Sequence, residues 1–181
     1  MSIELTAQQN YQTNGISTGP GGSGFWITDN SFVHVSQAID HYANGSFIDN
    51  NYIYDVDAVG IKLIHGASNN YARYNKIFKA GLYGIYIVGS NATAANTTGN
   101  VGTANEIHDT AKGRAQWPQH TRGGIWLDRH SPELGTVVNN QIYNNVVDGN
   151  NAVDWGISCS TNQPNEIYGN SVPDAGTIGS V

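Results

Sequence analysis

Asp128, Arg129 and His130 follow one another at the end of the segment GGIWLDRH, residues 123–130. An acid, a guanidinium and an imidazole are residue types that proton transfer needs: a base to take the proton, a donor to return it, and positive charge to steady the anion formed in between. Tyr86 adds a phenolic donor, and Arg114 or Arg122 a further cation. Asp128, His130, Tyr86 and Arg129 are therefore the candidate catalytic residues. A different chemistry would share the work between two carboxyl groups, Asp128 with Asp154 or Asp109. Trp126, Lys62, Lys112, Arg114, Trp117, His120, Arg122, Asp154 and Trp155 are the candidate substrate-binding residues, offering flat apolar rings and charge beside that centre.

An internal repeat positions these residues. Asn followed two residues later by an apolar residue recurs as NSF at Asn30, NYI at Asn51, NKI at Asn75, NEI at Asn105, NQI at Asn140 and NEI at Asn165. A second mark keeps step with it: AIDH from Ala38, GIKLI from Gly60, GIYIV from Gly84, GIWLD from Gly124 and GISCS from Gly156. In the first three copies the apolar residues of the two marks lie 7, 8 and 8 positions apart, from Phe32 to Ile39, Ile53 to Ile61 and Ile77 to Ile85. Both pieces are short, alternate with period two and are bounded by Gly, Asn and Asp, which predicts strands. A two-strand unit cannot bury its apolar face alone, so successive units must stack as coils around one core, with parallel ladders between them. An antiparallel sandwich would not hold two marks in phase, and a leucine-rich repeat needs a Leu-x-x-Leu-x-Leu core that is missing.

Within such a stack the six Asn residues fall at equivalent turns, where their amides bond along the axis and satisfy backbone groups at the bend. Ile61, Ile85, Ile125 and Ile157 point inward, as do Leu63, Ile87, Leu127 and Cys159. Alternation then turns Lys62, Tyr86, Trp126 and Ser158 outward as one row, with Ile64, Val88, Asp128 and Ser160 beside it. On this reading Trp126 is exposed. The span between the marks grows to 18 residues from Ile107 to Ile125 and to 15 from Ile142 to Ile157. The segments HDTAKGRAQWPQHTRG and NNVVDGNNAVDW therefore leave the coil at one corner as walls of a groove over Tyr86 and Trp126, while GSNATAANTTGNVGT lengthens the opposite corner.

Composition narrows the partners. Net charge is −6, and all eight Lys and Arg lie between Lys62 and Arg129, which makes a basic band on an otherwise acidic rod. A band of that kind attracts anionic ligands. Nucleic acid is excluded because no basic patch repeats at groove spacing. No apolar run approaches the roughly 18 residues of a membrane span. The single cysteine, Cys159, rules out a disulfide framework within the chain. The start, MSIELTAQQNYQ, shows no basic stretch followed by an apolar one. The expected organisation is a glycine-rich segment over 1–23, one coiled domain over 24–172 and a tail over 173–181.

The N-x-I and G-I-x-[LI] pieces resemble the repeat of right-handed parallel β-helices, as in pectate lyases, polygalacturonases, alginate lyases and epimerases, and phage tailspikes. The resemblance spans about residues 24 to 172 and implies an all-β, right-handed parallel β-helix of about six coils. It implies a polysaccharide ligand, with a lyase or epimerase acting on an acidic glycan as the leading activity. A glycoside hydrolase, or a non-catalytic tailspike or adhesin module, stands as the alternative. DRH at 128–130 is similar to the Asp-Pro-His of alginate epimerases, but Arg129 stands in place of Pro and no Tyr lies three residues before Asp128. Neither the paired aspartates of polygalacturonases nor the acid cluster that holds calcium in pectate lyases is recognisable. Calcium is the one cofactor the resemblance leaves open, and DVDAVG at 55–60 reads as turn sequence. The tailspike likeness implies a homotrimer and an extracellular or virion-associated location.

Overall fold

The computed structural model describes residues 2–4, 14–89, 95–110, 121–129, 135–148, 155–173 and 178–180. Among these there is no helix, and the strands assemble into three long parallel sheets visited in the same order on every coil, with one further two-stranded parallel sheet of Thr97–Thr98 and Val137–Val138. The first sheet stacks Ser2–Glu4, Ser31–Val33, Tyr52–Tyr54, Lys76–Phe78, Glu106–His108 and Val146–Asp148. The second stacks Asn14–Ser17, Gln37–His41, Val59–Leu63, Tyr83–Val88, Gly123–Asp128, Trp155–Cys159 and Ile178–Ser180. The third stacks Trp26–Thr28, Phe47–Asp49, Tyr71–Arg73, Val101–Thr103, Gln141–Tyr143 and Glu166–Tyr168. This is an all-β parallel solenoid. The strands Asn14–Ser17 and Ile178–Ser180 pair with the second sheet at either end, so coils continue outside 24–172. Gly15 and Ile16 repeat the Gly-Ile mark there.

Apolar rows from all three sheets build the core. Phe32, Ile53, Ile77, Ile107 and Val147 come from the first sheet, Ile39, Ile61, Ile85, Ile125 and Ile157 from the second, and Ile27, Ile48, Ala72 and Ile142 from the third. The second-sheet row is in register from coil to coil as the alternation requires. Each such isoleucine contributes about 1.5–3 kcal/mol by leaving water. Leu63, Ile87, Leu127 and Cys159 form the next inward row, with Cys159 packed against the core as a small apolar residue.

Asn ladders satisfy the corners. Asp29, Asn50, Tyr74, Ala104 and Asn144 adopt left-handed backbone between the third and first sheets, with φ of 57°, 55°, 57°, 53° and 55°. An Asn follows each of them. Asn75 uses its whole amide: Nδ2 donates to Asn105 Oδ1 at 3.0 Å and to the Ile48 carbonyl at 2.8 Å, while Oδ1 accepts from Asn51 N at 3.0 Å and Asn51 Nδ2 at 2.9 Å. The bent backbone thereby loses no hydrogen bond.

The ladder is double, which corrects the single row read from the sequence. One runs through Asn30, Asn51, Asn75, Asn105, Asn145 and Asn170. The other joins Asn70, Asn100, Asn140 and Asn165 at the corner between the second and third sheets. Every coil has two such corners, and after Asn105 the sequence motif passes from one to the other. Ile142 therefore belongs to the third sheet, and the first-sheet partner of Ile157 is Val147, ten residues before it. The excursion before Trp155 is accordingly shorter than the motif spacing suggested.

Candidate functional site

The outer face of the second sheet carries the chemistry. Lys62, Tyr86, Trp126 and Ser158 are adjacent in register on neighbouring coils. The Tyr86 and Trp126 rings stack with centroids 5.2 Å apart and planes at 23°. Alternation alone would turn Tyr83 inward with Ile85. Gly84 breaks it, because a Cβ there would lie 2.5 Å from Ile107 Cγ2, so glycine takes the inward position at the bend and Tyr83 faces out with Tyr86. Tyr83, 3% exposed, sits at the centre of the group, 4.8 Å from Tyr86, 5.0 Å from Trp126 and 5.9 Å from Trp155. Sequence reasoning missed it, although the Gly-Ile mark held the signal.

Gly123 completes the cluster. A Cβ at this position would overlap the Trp155 ring, so glycine opens the room in which Trp155 stacks on Tyr83 at 12°. Leu82, Val59 and Ala58 pack beneath. Trp126 is therefore half-buried in an aromatic group rather than exposed, as alternation had suggested. One ring supports the next, and the group presents a rigid apolar platform.

Asp128 adjoins that platform and is 7% exposed. Tyr86 donates its phenolic proton to Oδ2 at 2.7 Å, and Ser160 donates to Oδ1 at 2.9 Å. The Ser160 oxygen in turn accepts from Trp126 Nε1 at 3.2 Å. Two hydroxyl donors hold the orientation of the carboxylate. Burial first, and the neighbouring carboxylate second, push the Tyr86 phenol well above its usual range. Tyr86 thus holds Asp128 through its phenolic proton.

The remaining sequence candidates spread out. Lys62 lies one coil from Tyr86, beside Asp40. Arg129 is half-buried, with Nη1 3.4 Å from Asn162 Oδ1. Arg122 is 3% exposed, enclosed at the corner before the Gly123–Asp128 strand rather than offered to the groove. Trp155 is in the aromatic cluster, whereas Asp109 caps the first-sheet strand Glu106–His108 in a left-handed turn with φ 51°. His130, Lys112, Arg114, Trp117, His120 and Asp154 lie outside the described residues, as do most of the loops read as groove walls.

The basic band is also divided. Arg73 pairs with Asp49 on the third sheet and Lys76 with Glu106 on the first, leaving Lys62 as the described cation of the outer row on the second. Asp55 of the DVDAVG segment pairs with His34 at 3.0 Å and turns left-handed with φ 57°. Among the described residues no three His, Cys, Asp or Glu side chains gather to hold a metal ion.

The family model described as right handed beta helix region matches residues 3–172. The chain belongs to that family, a class of parallel solenoids commonly linked to carbohydrates. Comparison with curated proteins and with solved structures finds no significant match.

Proposed function

We propose that the outer face of the second sheet binds a polysaccharide, the aromatic platform stacking on sugar rings and Asp128 accepting hydrogen bonds from their hydroxyl groups. The observation that carries this reading is the contact of Tyr83, Tyr86, Trp126 and Trp155 with one another beside a carboxylate locked by two hydroxyl donors. An acidic glycan is the favoured ligand, because Lys112, Arg114 and Arg129 cluster in the sequence around this strand. The favoured reaction is lyase or epimerase chemistry, with His130, two residues after Asp128 in the sequence, taking the proton beside a sugar carboxylate. From the tailspike likeness we further propose that the protein works outside a cell or on a virion, as a homotrimer.

A panel of acidic and neutral polysaccharides tests the reading by retention, by reducing ends and by the ultraviolet absorbance of unsaturated products. Retention that Trp126→Ala weakens supports the platform. Loss of product formation in His130→Ala with binding kept supports the reaction. If no polysaccharide is retained or altered, the reading fails and a shaft module replaces it.

A further inference from the structure

We infer that Asp40 and Lys62 form a slot for a sugar hydroxyl group at the end of the same face, a second contact point in which Asp40 joins the Lys62 already marked by the sequence. This assignment rests on the reading of the second-sheet face as a glycan surface. Asp40, Lys62 and Tyr86 are in register on three successive coils, so the slot lines up with the aromatic platform along the axis. The Asp40 side chain faces outward yet is 4% exposed as a residue. Its Oδ2 is satisfied, accepting from the Tyr42 phenol at 2.8 Å and from Asn14 Nδ2 at 3.2 Å.

Oδ1 is different. It is buried and accepts no hydrogen bond from the described residues. Its neighbour is Lys62 Nζ at 3.9 Å, near enough to balance charge and too far for a hydrogen bond. A carboxylate only accepts and an ammonium only donates, so the group that serves both must accept from one and donate to the other. A hydroxyl group does this, as a water molecule would; a carboxylate, which has no donor, and an ammonium, which has no acceptor, do not. Beside the slot, the Tyr42 ring stacks on His65 at 4.9 Å and 13°, adding a flat surface of the kind a pyranose covers. Burial, and then Lys62, hold the His65 imidazole below its ordinary range, so it stays neutral near pH 7 and adds no repulsion towards Lys62.

Nuclear magnetic resonance titration with methyl β-glucopyranoside and with methyl α-galactopyranosiduronate tests the slot, following the His65 ring and the Trp126 indole separately. The expected result is a saturable shift at both, with Lys62→Met weakening the His65 response about tenfold and sparing that of Trp126. Asp40→Asn should weaken it similarly, and unchanged melting of Lys62→Met excludes a folding defect. A Trp126 response without one at His65, or a His65 response indifferent to Lys62→Met, overturns the slot and leaves the platform. A His65 response alone supports the slot and removes the platform. Silence at both positions overturns both.

Discussion

Tyr86 and Asp128 are 42 residues apart in the chain and one coil apart in space, joined by a phenol that donates to Oδ2 at 2.7 Å. Tyr86→Phe keeps the ring and deletes a donor to an almost buried carboxylate. The expected cost is about 1–3 kcal/mol of stability, since a hydrogen bond to a desolvated charged group is lost. A thermal melt with no shift would show that the bond contributes nothing.

Gly123→Ala places a methyl group where the Trp155 ring lies. The ring must leave its stack on Tyr83, at a cost of about 1–3 kcal/mol for an overpacked site. Tryptophan fluorescence should report the displaced indole, and polysaccharide retention should fall with it. An unchanged emission spectrum would contradict this packing.

Asn75→Leu removes an amide that makes bonds above and below its own coil. The Asn51 backbone N–H and the Ile48 carbonyl lose a partner, and each unsatisfied group costs about 1–3 kcal/mol. Denaturant unfolding should show the loss, while binding at the aromatic face by the folded fraction stays at the wild-type level. Loss of binding with unchanged stability would reverse the structural assignment of the ladder.

Ile85→Asp buries an unpaired carboxyl in the middle of the second-sheet row. Destabilisation by several kcal/mol, roughly 4 or more, is expected from that mechanism. Circular dichroism of the variant should show an unfolded or partly folded chain. Wild-type melting would refute the register.

His41 is fully buried, with Nδ1 3.1 Å from Thr18 Oγ1 and Nε2 3.3 Å from Asn70 Oδ1. Burial lowers its pKa from the ordinary 6.5, so the folded chain resists the proton that the unfolded chain accepts. The stability this provides is complete above 6.5 and is lost as the pH falls below it. Melting temperature should therefore decline from neutral to mildly acidic pH, and His41→Gln should make the profile shallower. Identical slopes in the two proteins would exclude the imidazole as the source.

The sequence by itself determined the solenoid. The apolar row through Ile61, Ile85, Ile125 and Ile157 and the outward row through Lys62, Tyr86, Trp126 and Ser158 followed from period two, because strand alternation is local and the same on every coil. Local rules failed where the chain bends. Gly84 turns Tyr83 outward, Gly123 admits Trp155 to the cluster, and the two Asn corners of each coil share one motif, so the ladders could not be separated by spacing. Only the tertiary structure decided that Arg122 is enclosed, that Tyr86 holds Asp128, and that Asp40 faces Lys62 across coils. Those relations depend on which insertion separates two coils and on how side chains fill the space a missing Cβ leaves. Neither is encoded within one repeat; both arise when coils stack.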